Sequence, residues 1–230
     1  MIIRKYGLVL KRLKEEDIEL VREKRNSEAV SRNMYYKQEI TPEMQKAWFH
    51  SINNKYNGYF IISYKGKKIG LIHGKNVDFE KRTCEGGIFI WDEEYLNSAI
   101  PSLASIIMND WTFLLGNFKA IYAKVLKENK IALSYNKQQG YEPCEPQNDD
   151  KGVEWLVLTK ENYLKRIEAI RKNMAEFIHD EKSIQLDDLD ASDDLGKEIE
   201  LYYKGLPADI QALADELIAR ARKKVSAPNP

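Results

Sequence analysis

The stretch "TCEGGIFIW" at positions 83–91, followed by a polar turn and a long amphipathic helix, constrains the fold most. The apolar run predicts a strand, and Gly86 and Gly87 inside it indicate a bulge or a close backbone approach. A strand that leads into a helix N-terminus often binds phosphate, because free N–H groups point out of the helix end. The turn carries Asn97, Ala99 and Pro101 where such loops usually carry glycine. The pattern therefore fits either a phosphate-binding turn or a plain helix start near Ser98.

Strand and helix patterns alternate over the first 160 residues. "LVLKRLK" from Leu8 alternates as a strand, and a helical pattern with Ile18 and Val21 on one face follows. Thr41 and Pro42 have the residue types of an N-cap and a first helical position. The order predicts an α+β or α/β domain built around a mixed sheet at residues 1–160.

Residues 161–230 have a different character and are predicted to form a C-terminal helical extension. Its acidic, apolar-poor segment, at about 180–200, is interpreted as a linker or loop. The later stretch "LPADIQALADELIARARKK" is strongly amphipathic, with Ile210, Leu213 and Leu217 in one stripe. Such a helix needs a surface to pack on. Its own domain is the first expectation, and a second copy in a homodimer or another partner is the alternative.

Composition narrows the class of protein. The 36 basic and 36 acidic residues give a net charge of zero, which argues against a general nucleic-acid partner. No apolar stretch approaches the ~18 residues that a membrane span needs, and the N-terminus does not resemble a signal peptide. Cys84 and Cys144 fit a reducing cytoplasm, and the histidines and cysteines have no metal-ligand spacing.

Three motifs, in order along the chain, extend this interpretation, and the second of them is the strand pattern "CEGGIFIW" described above. Asp17, Val21, Arg25 and Asn26 fill a D-x-x-x-(V/L)-x-x-x-R-N pattern, and "ENKIALSYNKQQGYE" at positions 128–142 follows the strand and helix described above. Residues 7–160 thereby resemble the GNAT superfamily of acyl-CoA-dependent N-acyltransferases. They are most similar to its subgroup of amino-sugar nucleotide and ribosomal-protein N-terminal acetyltransferases.

The resemblance implies a GNAT fold, whose mixed sheet is splayed between two middle strands, and acetyl-CoA as the donor. The pantetheine arm would bond to the backbone of the strand at 83–91, and the diphosphate would lie on the following helix end. The implied donor-binding residues are Ile88, Phe89, Ile90, Ser98, Ala99, Ser102, Asn129 and Asn136. The turn departs from the family's glycine loop, and no Lys or Arg lies between Trp91 and Phe118. This departure predicts weaker CoA binding, a carrier-protein donor or no donor.

Acetyl transfer to an amine needs a base for the amine and an acid for the leaving thiolate. Glu85 is the predicted base, and His73 could share its role. The family's acid position falls on Asn136, so the neighbouring Tyr135 is the predicted acid. Each of these three side chains also has a purely structural interpretation, and Tyr141 is expected in the core.

Met34, Tyr35 and Tyr36 are predicted to contact the acceptor, and Arg25 and Asn26 to brace their loop or to reach the acceptor. The predicted function is acetylation of a primary amine, with a nucleotide-linked amino sugar of bacterial surface glycans as the first candidate. A protein N-terminal acetyltransferase is one alternative. A non-catalytic binding or scaffolding module is the other. No metal is expected.

Overall fold

The computed structural model describes residues 1–148, 151–192 and 204–226. Within them, nine strands form one sheet in the order β7-β8-β6-β5-β4-β3-β2-β1-β9. The strands are β1 (Ile2–Lys5), β2 (Leu8–Arg12), β3 (Gly58–Tyr64), β4 (Lys67–Asp78), β5 (Thr83–Ile90), β6 (Ala120–Leu126), β7 (Glu142–Pro143), β8 (Val153–Thr159) and β9 (Leu189–Asp190).

Eight α-helices are assigned in the described residues. They are α1 (Ile18–Asn26), α2 (Glu28–Ser31), α3 (Pro42–Ile52), α4 (Glu93–Leu96), α5 (Ile100–Asp110), α6 (Lys130–Gln139), α7 (Lys160–Ile178) and α8 (Ala208–Ser226). The helix predicted from Ser98 starts at Ile100, because the preceding turn forms the short α4. A π-helical turn at Trp111–Leu115 ends α5.

Local sequence signals explain several of these boundaries. The Thr41 side chain caps α3 by accepting from the Met44 N–H. Lys65 and Gly66 both have positive φ, 49° and 79°, as a two-residue hairpin turn between β3 and β4 requires. Gly140 ends α6 in the left-handed conformation at φ 101°.

The sheet parts between β5 and β6. These strands run parallel and pair only from Thr83 with Ala120 to Glu85 with Tyr122. Beyond Gly86, β5 continues along β4 to Ile90, while β6 continues along β8 to Leu126. A wedge-shaped gap therefore opens beside Gly86 and Gly87, where the resemblance implies splayed strands. The bulge predicted at these glycines is not found, because β5 pairs with β4 in regular register there and the register shifts between Lys75 and Asp78.

The two faces of the sheet carry different cores. Helices α1 and α3 pack on one face through Val21 and Phe49, over Tyr59, Ile61 and Leu71. The other face carries the larger core, to which α5, α7 and α8 all contribute buried residues. We call these the α1 face and the α5 face.

The described part of residues 161–230 packs into the core of the preceding residues. Asp110 of α5 is fully buried and accepts hydrogen bonds from Tyr163 (2.5 Å), Arg171 and the Ile184 N–H (3.1 Å). Leu217 on α8 is 4% exposed. The predicted helices of the extension are present, and α8 packs on its own chain.

The described part of the segment at about 180–200, interpreted as a linker or loop, is a mostly irregular stretch that packs on the sheet. Ile184 is buried, and β9 pairs with β1 at the edge of the sheet. The acidic side chains of this segment are paired with lysines from other elements. Lys5 pairs with Asp188, and Lys224 pairs with Asp190. Residues 193–200 lie outside the described residues. A domain boundary near 160 stays a prediction.

Candidate active site

The gap between β5 and β6 presents unpaired backbone groups. The Trp91 N–H donates to the Ile69 carbonyl of β4 at 3.0 Å. Because hydrogen-bonded pairs alternate along antiparallel strands, Phe89 is also bonded to β4, opposite Leu71. Ile88 and Ile90 then direct their N–H and C=O groups to the β6 side. The structure therefore favours Ile88 and Ile90 as partners for an extended ligand, and leaves the predicted Phe89 backbone engaged with β4.

Glu85 lies where the gap begins, on the α1 face. Its carboxylate accepts from the Asn76 amide at 2.7 Å and pairs with Lys75 at 3.3 Å. Burial, followed by the charge of Glu85, raises the pKa of Tyr59 to about 12, which places that hydroxyl in the same neighbourhood. The carboxylate is thus held at the gap by two neighbours, as a base at this point would be.

His73 lies on the same face of the neighbouring strand. Its ring stacks on Tyr59, with centroids 4.8 Å apart. Burial, and then Lys75, lower its pKa to about 3, so the imidazole is neutral near pH 7. Its Nδ1 atom is buried and has no hydrogen-bond partner among the described residues. An imidazole with so low a pKa is a poor proton acceptor near pH 7, and the His73 ring fills the space over Gly87.

The hydroxyl of Tyr135, the predicted acid, is engaged by two neighbours. Its hydroxyl donates to the Pro101 carbonyl at 2.9 Å and lies 2.7 Å from the Ser105 hydroxyl. Burial raises its pKa to about 12, and the hydrogen bond with Ser105 opposes this increase. These contacts join α6 to α5, so the structure favours a bracing role for Tyr135.

Sequence reasoning placed Tyr141 in the core and missed its hydroxyl. A Cβ built on Gly86 would lie 3.5 Å from the Tyr141 hydroxyl oxygen and 2.8 Å from Ile121. The ring is buried, but its polar end lies over the residue where β5 and β6 part. The signal that could have found it is the residue type: the position after Gly140 is a tyrosine, whose ring can be buried while its hydroxyl stays available for chemistry.

The turn before α5 needs no glycine. Asn97 has φ −101° and Ala99 has φ −70°, so neither adopts the left-handed conformation that would penalise a Cβ. The first intrahelical bond runs from Leu103 to Ala99, which leaves the N–H groups of Ala99 and Ser102 outside the helix ladder. The Ile100 N–H donates to the Ser98 hydroxyl. Asn97 and Ala99 therefore cause no backbone strain in this turn. The turn still has no Lys or Arg to neutralise a diphosphate.

Three side chains predicted to bind the donor make local structural contacts. The Asn129 side chain caps α6 by accepting from the Ala132 N–H at 3.0 Å. Asn136 donates to the Ala132 carbonyl at 2.8 Å. Ser102 accepts from Gln139 at 3.2 Å. Donor binding by these side chains stays a prediction.

The predicted acceptor loop lies between α2 and α3. Tyr35 and Tyr36 are 54% and 40% exposed, and Met34 is half-buried. The Lys124 ammonium of β6 lies 4.9 Å from the centre of the Tyr35 ring. Lys37 pairs with Glu128 at 3.2 Å. The loop therefore bridges to the far side of the gap and presents aromatic side chains beside charged ones.

Asn26 braces this loop as predicted by bonding the Ile40 backbone twice, each time at 2.9 Å. The second brace is Arg22, which donates to the same carbonyl at 3.1 Å. Arg25 makes no hydrogen bond or ion pair with the described residues. Burial lowers its pKa from the usual arginine value. Arg25 is thus a half-buried cation to which the described part of the chain offers no carboxylate.

In the described ranges no cluster of His, Cys, Asp and Glu could hold a metal ion. No helix there is long and apolar enough to cross a membrane. A cavity of about 550 Å³ lies at the opposite end of the β5–β6 pair, and Arg82, Asn117 and Lys160 are among its lining residues.

Comparison with known proteins places this geometry in context. The family model described as "Acetyltransferase (GNAT) domain" matches residues 7–142, more than half of the chain. A spermidine N(1)-acetyltransferase of Escherichia coli (strain K12) is 24% identical over 137 residues, which are 59% of this chain and 73% of that protein.

Solved structures show the same fold. Spermidine N-acetyltransferase from Vibrio cholerae in complex with CoA and spermine has a TM-score of 0.60 at 16% identity, with 70% of this chain and 99% of that chain covered. A dodecameric structure of the Vibrio cholerae enzyme in an intermediate state has a TM-score of 0.54 at 19% identity, with the same coverage. At these identities, the likeness supports the fold alone.

Proposed function

Because the chain belongs to the GNAT acetyltransferase family, we propose that it acetylates a primary amine of an extended alkyl polyamine. Membership confirms the predicted superfamily, fold, acyltransferase class and acetyl-CoA donor, and argues against a non-catalytic module. The subgroup and the acceptor stay proposals.

The parting of β5 and β6 at Gly86 carries the proposal. An acetyl-pantetheine arm can lie in the gap as an added strand, bonded to Ile88 and Ile90. The thioester carbonyl would then lie near the Glu85 end of β5. Glu85 can take the proton of an amine that arrives from the α1 face.

The relatives and the acceptor face both support a polyamine. The relatives named above are spermidine acetyltransferases. Exposed Tyr35 and Tyr36 offer ring faces to an ammonium group, and the Tyr35 ring already lies beside the ammonium of Lys124. Glu85 and Glu128 supply carboxylates near the gap, each paired with a lysine that an ammonium group of the acceptor could replace. An extended polyamine could place one amine at Glu85 and another ammonium at the loop.

Arg25 favours a second candidate, the nucleotide-linked amino sugar of the sequence analysis. A half-buried guanidinium without a carboxylate partner among the described residues suits a phosphate, and it disfavours a polycation. Lys37, exposed on the acceptor loop, would also attract a phosphate and repel a polycation.

An acceptor panel separates these candidates. Release of CoA thiol is measured with spermidine, a uridine-diphosphate amino sugar and a peptide with a free N-terminus. The proposal predicts the highest kcat/KM for spermidine, with little change or a gain in Arg25→Ala. Exclusive turnover of the amino sugar, lost in Arg25→Ala, would establish the second candidate. No turnover of any amine at millimolar acetyl-CoA would refute the proposed function.

A further inference from the structure

The Tyr141 hydroxyl occupies the α5 face at the start of the gap. Neighbouring residues on a strand point to opposite faces, so Glu85 and the absent side chain of Gly86 define the two faces at this point. A Cβ on Gly86 would lie 3.5 Å from the Tyr141 hydroxyl oxygen. A thioester placed in the gap would thus have Glu85 on one side and a phenol on the other.

No residue that the structure describes satisfies this hydroxyl with a hydrogen bond, although the Tyr141 residue is only 8% exposed. A hydroxyl that no described residue uses is available to a ligand in this position. The hydroxyl of Tyr135, in contrast, already has hydrogen-bond partners in the Pro101 carbonyl and the Ser105 hydroxyl.

We propose that Tyr141, and not Tyr135, is the hydrogen-bond donor and acid for the leaving sulfur. The inference rests on the proposed acetyl transfer, since it assigns a step of that reaction. Burial, and then Cys84 and Tyr135, raise the pKa of Tyr141 above its usual value. The phenol therefore stays protonated at neutral pH, as an acid must.

The step balances with residues of this chain. The amine nitrogen bonds to the thioester carbonyl carbon, and Glu85 takes the proton that this nitrogen loses. The carbon–sulfur bond breaks, and its electron pair stays on sulfur. The Tyr141 hydroxyl hydrogen-bonds to this sulfur and gives it the proton, so that the products are an amide and CoA thiol. Solvent then returns a proton to Tyr141 and removes one from Glu85 when the products leave.

Paired variants test the assignment. Tyr141→Phe keeps the ring and removes only the hydroxyl, and Tyr135→Phe is the matched control. We expect the single-turnover rate of acetyl transfer in Tyr141→Phe to fall by about 10²-fold, in the range of general acid catalysis. Acetyl-CoA affinity and the melting temperature should stay close to those of the unmodified chain. Tyr135→Phe should lower the melting temperature and leave the rate within about threefold.

A second measurement needs no acceptor. The thiol pKa of bound CoA is obtained from the ultraviolet absorbance of its thiolate, titrated on the full chain. A hydrogen bond from Tyr141 should lower that pKa by about one unit relative to Tyr141→Phe, and Tyr135→Phe should match the unmodified chain.

The two measurements separate this inference from the proposed function. If no amine is acetylated but the bound thiol pKa still depends on Tyr141, the proposed function fails and the contact with sulfur stands. If Tyr141→Phe keeps both the transfer rate and the thiol pKa of the unmodified chain, the inference is overturned. If only Tyr135→Phe lowers the transfer rate, the inference is also overturned, and Tyr135 is then the acid.

Discussion

The imidazole of His73 lies directly over Gly87, where a Cβ would come within 2.5 Å of its Cε1 atom. The two residues face each other across β4 and β5. Gly87 is therefore required by the ring above it. Its φ is not in the left-handed region that only glycine adopts readily. Because Gly87 has no side chain, the neutral His73 ring fits next to Glu85, the predicted base.

Gly87→Ala should consequently destabilise the fold. The new methyl group must displace the His73 ring from its stack on Tyr59, and overpacking of this kind costs about 1–3 kcal/mol. Gly74→Ala on β4 is the control, because its nearest contact would be Cys84 at an ordinary 3.9 Å. Urea unfolding measures both variants.

A double-mutant cycle isolates the cause of this loss. In a His73→Ala background, Gly87→Ala should cost less than about 0.5 kcal/mol, because the clashing ring is gone. An undiminished cost in that background would show that the loss has another origin.

The stability of the chain should fall in acid through His73. Its folded pKa, lowered by burial to about 3, lies below the unfolded value of about 6.5. Between these values the unfolded chain binds a proton at this position that the folded chain excludes. The free energy of unfolding therefore falls as pH falls through this window, by at most about 1.4 kcal/mol per pH unit.

Urea unfolding from pH 7.5 to 4 checks this dependence. His73→Gln should remove its contribution, so the curves of the variant and the unmodified chain should converge as the pH falls. Parallel curves would assign the acid sensitivity to other groups.

Glu85→Gln should reduce acetyl transfer while leaving acetyl-CoA affinity almost unchanged. The amide keeps the shape of the side chain and its contact with Asn76, but it cannot take a proton, so a loss of about 10²-fold or more in kcat is expected. Asn76→Ala is the control, since it removes the neighbour and keeps the carboxylate. Steady-state kinetics and titration of acetyl-CoA measure the two effects. Equal kcat in Glu85→Gln and the unmodified chain would exclude Glu85 as the base.

Local signals in the sequence predicted local structure well. Thr41, the Lys65–Gly66 turn and Gly140 are confirmed, because caps and turns depend on a few neighbouring residues. The Gly86–Gly87 pair predicted a bulge or a close backbone approach. The bulge is not there, because β5 keeps regular register with β4 at both glycines and the register shifts between Lys75 and Asp78 instead. The glycines do lie where β5 leaves β6.

Tertiary contacts decided the rest. Tyr135 lies on α6, and Tyr141 lies six positions later, between α6 and β7. Only the packing of α6 on α5 determines which hydroxyl is engaged. Arg22 and Arg25 both lie on α1, yet Arg22 braces the acceptor loop. The acidic segment at 180–192 looked like a linker because its balancing cations, such as Lys5 and Lys224, come from distant positions.

Asp110→Asn should destabilise the chain by about 3–5 kcal/mol, since it leaves the half-buried Arg171 guanidinium without its counter-charge. It should also weaken the attachment of the segment around Ile184. Glu161→Gln is the control, because its pair with Lys165 is exposed and screened by solvent, so its loss should leave the stability almost unchanged. Thermal and urea unfolding compare the two variants. Similar losses would show that the buried pair contributes no more than a surface pair.

Leu217→Ala on α8 should cost about 2–5 kcal/mol, because Leu217 is 4% exposed within the core shared with the sheet. Val225→Ala on the same helix is the control, since Val225 is 55% exposed and its truncation should cost less than about 0.5 kcal/mol. The loss in Leu217→Ala should not vary over a hundredfold range of protein concentration, because α8 packs on its own chain. A loss that grows on dilution would instead place α8 in an interface between copies, since the stability of an oligomer depends on protomer concentration.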